Sequence, residues 1–166
     1  MRITDLLSKD GIELNVNAKD KNDIINKMTK LMLKTGRITD LNAYTELVLK
    51  REEEGSTGVG EGIAIPHGKG DCVTEPGLVA MVVPNGVEYD ALDGKPVNLL
   101  FMIAAPNTSD NVHLDVLSRL STMLMETEFK NKLISAKRKE EFLNIINETE
   151  NEKFKEETKQ DRKSVV

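Results

Sequence analysis

Apolar residues recur with the spacing of β-strands at several places along the chain. Ile12, Leu14 and Val16 alternate with polar residues, which predicts a short strand near the N-terminus. Three later apolar runs predict further strands, at Leu78 to Val83, Val87 to Tyr89 and Val97 to Ala104. The last run is nearly all apolar, as is typical of a central strand buried on both faces. Such a strand needs helices on both sides to cover it.

Helical spacing of apolar residues appears on both sides of these strands in the sequence. One helix is predicted from Asp20 to Thr35, where Gly36 ends it, and a second begins at Thr39 or Asp40 and runs toward Arg51. Three more helices are predicted in the C-terminal half, at about Val112 to Met125, Phe129 to Ile134 and Phe142 to Ile146. The pattern of strands and helices predicts an α/β fold.

The segment from Gly55 to Gly70 is rich in glycine and predicts a loop, with Ile63 to Ile65 as a brief strand inside it. Such a loop can bring backbone amides close to a ligand. It lacks the Lys and Ser/Thr of a P-loop and the spacing of a dinucleotide-binding motif. Direct nucleotide binding is therefore disfavoured.

Length and composition indicate one globular domain of ordinary size, since the chain has 166 residues, 39% of them apolar and 31% charged. No apolar run approaches the ~20 residues of a membrane helix, and the N-terminus is acidic, so we expect a cytoplasmic protein without a signal peptide. The only cysteine, Cys72, excludes an internal disulfide. The net charge of -5, with both signs interspersed, argues against a nucleic-acid partner.

After Ile146 the sequence becomes dense in Glu and Lys and nearly free of apolar residues. Such a segment is expected not to bury enough surface to become ordered. We predict one domain over residues 1–150 and a charged linker over residues 151–166.

His67 lies in the segment IAIPHGKGD, between Pro66 and Gly68. Proline fixes the backbone before it and glycine leaves space after it, so the imidazole is expected at the end of a strand rather than in the core. A neutral imidazole has a free lone pair that can attack phosphorus. The residues alone leave open a hydrogen-bonded structural histidine.

Two further residues are candidates for binding an anion near His67. His113 is predicted at the start of a helix, where amide groups and the helix dipole favour an anion. Arg51, at the end of the second helix, could supply the permanent cation that a phosphorylated imidazole needs. The alternatives are a surface histidine and an exposed arginine without such a role.

A metal site formed by His67, His113 and Asp71 is conceivable. Two widely separated histidines without a close pair or an HExxH helix make a poor zinc signature, however. We therefore expect no metal and no other cofactor.

Two long segments carry a resemblance to a known family. The run REEEGSTGVGEGIAIPHGK, Arg51 to Lys69, resembles the active-site segment of fructose- and mannitol-type IIA domains of the bacterial phosphoenolpyruvate-dependent sugar phosphotransferase system. The run LDGKPVNLLFMIAAPNTSDNVHLDVLSRLSTMLM, Leu92 to Met125, resembles the segment around the second histidine of the fructose type. The resemblance covers about residues 1–150, and Gly68 stands where relatives often carry another small residue such as Ala.

The resemblance implies a fold, a function and a role for each candidate residue. The fold would be a single domain with a mixed β-sheet sandwiched between helices on both faces. His67 would accept a phosphoryl group, with Nε2 suggested, from the carrier protein HPr and pass it to a cysteine of a IIB domain. His113 would hydrogen-bond the phosphoryl oxygens, and Arg51 would balance their charge. The sugar would be fructose.

Two further expectations follow from this interpretation, and two alternatives to it remain. The tail, ending in Lys163 to Val166, is expected to lead into a IIB domain of a longer chain, without membrane insertion of this part. The surface around His67 is expected to be apolar and ringed by acids, with Glu61, Asp71 and Asp110 as candidates. The alternatives are a regulatory IIA paralogue that acts by phosphorylation-dependent protein binding and a structural α/β module without phosphotransfer.

Overall fold

The structure is a computed structural model and describes residues 1–155. The helices in this part of the chain are α1 (Ile3–Leu6), α2 (Lys21–Lys34), α3 (Leu41–Glu53), α4 (Val112–Leu124), α5 (Thr127–Ser135) and α6 (Lys139–Lys153). The strands are β1 (Leu7–Glu13), β2 (Gly58–Gly60), β3 (Ile63–Ala64), β4 (His67–Gly70), β5 (Gly77–Val87) and β6 (Val97–Pro106). None of these helices is long and apolar enough to cross a membrane.

The described strands form one mixed sheet in the order β1-β5-β6-β3-β2, and β4 also pairs with β6. Strands β3 and β4 both run parallel to β6, whereas β5 runs antiparallel to it. The long apolar strand β6 is therefore central, as the sequence predicts. It places His67 in register with Ile103.

Alternation along β6 divides the core into two layers, because successive side chains of a strand point to opposite faces. Leu99, Phe101 and Ile103 pack with residues of α1, α4, α5 and α6. Leu100, Met102 and Ala104 pack on the other face with residues of α2 and α3. The structure thus confirms a mixed sheet between helices on both faces.

The second predicted helix leads directly to the candidate site. Asp40, one of the two predicted caps, accepts a hydrogen bond from the Ala43 N–H at 3.0 Å and begins α3. Its buried side chains, Tyr44 and Val48, lie one helical turn apart and pack against the sheet. This packing directs the C-terminal end of α3 toward β4.

Several predicted boundaries are wrong. The first strand is β1, which begins at Leu7 rather than near Ile12, and Val87 ends β5 instead of opening another strand. The segment from Gly55 to Gly70 contains three short strands rather than one. These segments are strands because they pair with the central strand: β3 and β4 each pair with β6. A glycine-rich sequence gives no local sign of such pairing.

The prediction that the chain loses order after Ile146 is also wrong, because α6 continues to Lys153. The cause is Glu150, which is fully buried and accepts hydrogen bonds from the Ile3 N–H at 2.8 Å and from Arg119 Nε at 2.9 Å. These contacts anchor a segment that has few apolar residues. The remainder of the predicted linker, residues 156–166, lies outside the described residues.

Candidate active site

The three candidate residues come from three different elements and line one cavity of about 440 Å³. His67 is the first residue of β4, and Arg51 lies in the last turn of α3. His113 follows Val112 at the start of α4, as predicted. The fold therefore brings together side chains that are far apart in the sequence.

The ring of His67 is half-buried, and one hydrogen bond fixes its orientation. Its Nδ1 lies 3.1 Å from the carbonyl oxygen of Ile65. A carbonyl can only accept, so this bond requires the hydrogen of the neutral ring to be on Nδ1. The lone pair is then on Nε2, which makes Nε2 the nucleophilic atom.

His113 stacks beside His67, with ring centroids 5.9 Å apart and planes inclined by 27°. Its Nδ1 is enclosed and has no hydrogen-bond partner within residues 1–155. An enclosed N–H without a partner is costly, so the tautomer with hydrogen on Nε2 is favoured. A neutral His113 can thus donate a hydrogen bond from Nε2.

Arg51 is held close to the glycine-rich segment by contacts near its own helix end. Its Nη1 donates to the Gly55 carbonyl at 2.9 Å, and its Nε lies 3.8 Å from the Glu54 carboxylate. About a third of its side chain, 35%, remains exposed. The guanidinium stays charged at any physiological pH and offers further donors to an anion.

The surroundings favour the neutral form of both histidines. Burial lowers the pKa of His67 below its ordinary value of 6.5, and the charge of Arg51 lowers it further, against the raising effects of the Ile65 hydrogen bond and nearby acids. Burial also lowers the pKa of His113, as do the charges of His67 and Lys69. Near pH 7 both rings are therefore predominantly neutral.

The rim of the cavity differs from the predicted acidic ring. Its apolar lining is Leu47, Leu114 and Leu117, and its further charged residues are Lys50, Lys69 and Glu54. None of the predicted acids, Glu61, Asp71 and Asp110, lines it, and Glu61 borders a separate cavity beside the C-terminal end of α4. Cations outnumber acids in the lining of this cavity, while the acidic ring on the wider surface around His67 stays a prediction.

One buried acid near the site was not identified from the sequence. Glu52 follows Arg51 and accepts hydrogen bonds from both the N–H and the hydroxyl of Thr57. Helical spacing contained the signal, since Glu52 lies one turn after Val48 and two turns after Tyr44 on the buried face of α3. The composition of the run REEE hides it among exposed glutamates.

The metal alternative receives no support from the arrangement of ligands. Within residues 1–155, no group of three or more His, Cys, Asp or Glu side chains could hold a metal ion. Asp71 is hydrogen-bonded to Asn107 at 3.0 Å and does not line the cavity of the two histidines.

The sequence of this α/β domain matches a known family. Residues 5–149 match the family described as phosphoenolpyruvate-dependent sugar phosphotransferase system, EIIA 2. The chain belongs to this family and is a fructose/mannitol-type IIA phosphotransferase component.

Two individual proteins illustrate what this chain is similar to. The fructose-specific EIIABC component of the same system from Bacillus subtilis (strain 168) is 45% identical over 148 residues, 89% of this chain but only 23% of that protein. The solved nitrogen regulatory protein IIA-Ntr from Neisseria meningitidis is similar with a TM-score of 0.80 and 30% identity, covering 86% of this chain and 97% of that one.

A third similar protein was solved together with a partner. It is the enzyme IIAMTL in its complex with phosphorylated enzyme IIBMTL from Escherichia coli. The similarity has a TM-score of 0.76 and 26% identity, and it covers 86% of this chain and 99% of that one. The described fold therefore occurs in a mannitol-type and in a regulatory protein of known structure.

Proposed function

We propose that His67 accepts a phosphoryl group from the phosphohistidine of HPr and donates it to a cysteine of a IIB domain. The observation that carries this proposal is the hydrogen bond between His67 Nδ1 and the Ile65 carbonyl, which leaves the lone pair on Nε2 in a cavity shared with Arg51 and His113. Proteins with this role act on the cytoplasmic side of the membrane, which is where we expect this chain.

Each transfer is a substitution at phosphorus. The Nε2 lone pair of His67 forms a new P–N bond while the P–N bond of the donor breaks and its electron pair returns to the donor imidazole. In the second transfer a cysteine thiolate forms a P–S bond, and His67 recovers its lone pair. Such loose transition states need alignment and charge stabilisation more than acid–base chemistry. Arg51 and the Nε2–H of His113 supply that stabilisation.

Two relatives support the partner and the sugar. The structural relative from Escherichia coli was solved in complex with a phosphorylated IIB enzyme, and the Bacillus subtilis relative carries A, B and C components in one chain. That fructose-specific relative is 45% identical, whereas the mannitol-specific enzyme IIA component from Staphylococcus aureus (strain Mu50 / ATCC 700699) is 34% identical. We therefore favour fructose as the sugar that finally receives the phosphoryl group.

Intact mass spectrometry after incubation with phosphoenolpyruvate, enzyme I and HPr tests the first transfer. One phosphoryl group should be added, and it should be acid-labile and base-stable, as a phosphoramidate bond is. His67→Ala should remove the adduct, while His113→Ala should retain an acceptor. Undiminished phosphorylation of His67→Ala would exclude His67 as the acceptor.

Reconstituted transport components test the second transfer and the sugar. The phosphorylated chain should pass its phosphoryl group to a fructose-specific IIB domain, and with the membrane component present fructose should be phosphorylated faster than mannitol. A faster reaction with the mannitol components would reverse the assignment of the sugar.

A regulatory role is the second candidate, because the structure of this chain is similar to that of the nitrogen regulatory protein IIA-Ntr, with a TM-score of 0.80. A regulatory protein would accept the phosphoryl group from HPr but bind targets in a phosphorylation-dependent way. Failure to phosphorylate any cognate IIB cysteine, despite rapid phosphorylation by HPr, would favour this candidate.

A further inference from the structure

We propose that Glu52 is a positioning residue for the phosphoryl transfer: its buried carboxylate holds Thr57, and through Thr57 it fixes the carbonyl that orients His67. The inference rests on the proposed function of His67. It adds a residue that touches neither the phosphoryl group nor the nucleophile directly.

The carboxylate of Glu52 is almost fully enclosed, since its side chain is 6% exposed. It accepts the Thr57 N–H at 3.0 Å and lies 2.6 and 2.9 Å from the Thr57 hydroxyl. Lys21 Nζ, 3.2 Å away, balances its charge. Hydrogen bonds from two donors of one residue fix the position of that residue more strictly than a single bond does.

Thr57 itself is buried, with 5% exposure, and its hydroxyl also lies 3.1 Å from the hydroxyl of Tyr89. Tyr89 is fully buried, and the ring of this tyrosine lies 4.8 Å from Lys21 Nζ. The four side chains therefore form a closed polar network. Such a network is rigid when each of its members is satisfied.

The backbone connects this network to the nucleophile. The Thr57 carbonyl accepts the Ile65 N–H at 3.0 Å, and the Ile65 carbonyl accepts the His67 Nδ1–H at 3.1 Å. The next peptide is fixed as well, because the Pro66 carbonyl accepts the Ile103 N–H at 3.0 Å. A shift of Thr57 therefore moves the carbonyl that selects the tautomer of His67.

The charge of Glu52 reaches His67 in addition to this mechanical connection. The carboxylate raises the pKa of His67 and so opposes the larger lowering effect of burial. Loss of the charge should move the pH profile of transfer toward lower pH. A residue with a purely structural role would change stability without moving either this profile or the tautomer.

Glu52→Gln keeps the size of the side chain but leaves one acceptor oxygen for both donors of Thr57. Glu53→Gln is the matched control, since Glu53 is the next residue of α3, carries the same charge and is exposed. The tautomer of His67 is read from ¹⁵N chemical shifts, and single-turnover rates are measured with phosphorylated HPr and with phosphoramidate across pH. The small donor removes any effect of protein docking.

We expect Glu52→Gln to increase the population of the Nε2–H tautomer of His67. Transfer from each of the two donors should slow about tenfold, because a small misplacement of a reacting group lowers the rate. Glu53→Gln should match the parent. Thr57→Val should reproduce the defect because it removes the hydroxyl, whereas Thr57→Ser should restore most of the rate. The Thr57 pair keeps the test decisive if Glu52→Gln folds poorly.

Two different results would overturn two different conclusions. If the parent is phosphorylated but Glu52→Gln and Thr57→Val retain its tautomer, pH profile and rates, the positioning role is wrong and the proposed function stands. If neither donor phosphorylates the parent at His67, the proposed function is wrong and the positioning role falls with it.

Discussion

Two buried glutamates, Glu52 and Glu150, occupy different regions of the molecule and stabilise different structures. The side chain of Glu52 is 6% exposed, and that of Glu150 is 0% exposed. Each accepts a backbone N–H and lies within 4 Å of a cationic side chain, Lys21 for Glu52 and Arg119 for Glu150. Their local chemistry is therefore nearly the same.

The difference is in what the two carboxylates connect. Glu150 joins α6 to the N-terminal residues around α1 and to Arg119 on α4, so it links the two ends of the described chain. Glu52 joins the end of α3 to Thr57, which is hydrogen-bonded to Ile65, the residue whose carbonyl orients His67. Loss of the Glu150 contacts should therefore lower stability alone. Loss of the Glu52 contacts should lower both stability and the rate of transfer.

The largest expected effect tests the structural member of this pair. Arg119→Met leaves the Glu150 carboxylate buried without its closest cation, which typically costs about 3–5 kcal/mol of unfolding free energy. Urea denaturation followed by circular dichroism measures this loss, while the transfer rate per folded molecule should match the parent. Arg138→Met, at an exposed arginine, should change stability by less than about 0.5 kcal/mol. A large loss of transfer rate in folded Arg119→Met would contradict the conclusion that the Glu150 contacts act on stability alone.

The next effect concerns the residues around His67, the proposed acceptor. Arg51→Ala and His113→Ala should each slow single-turnover transfer from phosphorylated HPr about a hundredfold, near 3 kcal/mol, because the developing phosphoryl charge loses a donor. The exposed Lys34→Ala variant serves as the control for loss of a cation. Transfer at the parent rate in both site variants would show that His67 acts without these two donors.

A smaller effect is expected where α3 approaches β4. A Cβ at Gly68 would lie 3.1 Å from Tyr44 Cε1, 3.2 Å from Leu47 Cβ and 3.3 Å from Val48 Cγ2. Gly68→Ala should therefore cost about 1 kcal/mol of unfolding free energy through overpacking. Because α3 carries Arg51, a shift of this helix should also slow transfer. The effect should be smaller than that of Arg51→Ala, since the guanidinium is still present. Unchanged urea midpoint and rate would mean that α3 moves aside without consequence.

The smallest effect is a pH dependence of stability that originates in the two histidines of the candidate site. Both histidines have pKa values below the ordinary 6.5, so the unfolded chain binds more protons than the native one as pH falls through 6.5. Native stability should decrease on acidification until the lowered native pKa values are passed. Urea midpoints between pH 7.5 and 5.5 measure this slope, and the double variant His67→Ala/His113→Ala should flatten it. An unchanged slope would assign it to other groups.

The sequence could predict the parts of the molecule that depend on local pattern. The apolar run at Val97 to Ala104 predicted the central strand, and the cap at Thr39 or Asp40 predicted the start of α3. Pro66 and the second segment with His113 pointed to the candidate site, and the family resemblance joined them. The structure adds the proximity of the two rings, 5.9 Å apart.

The remaining features depend on contacts between distant residues, which local pattern does not contain. The charged segment after Ile146 resembles a linker in composition, yet Glu150 orders it by pairing with residues near the N-terminus and on α4. Helical spacing places Glu52 on the buried face of α3, but only the fold shows that Thr57 and Lys21 are its partners. Buried polar pairs of this kind become recognisable only when both partners are in place.

The contacts of Arg51 bear on how much energy the phosphorylated intermediate retains. The guanidinium already donates to the Gly55 carbonyl and lies near Glu54, so an incoming phosphoryl group competes with these contacts. In the proposed function, this competition would limit the net stabilisation of a phosphorylated His67. A relay needs such a limit, because an intermediate bound too favourably would lose its group-transfer potential. We expect the equilibrium constants for loading and unloading to stay close to one, which keeps the flow of phosphoryl groups reversible.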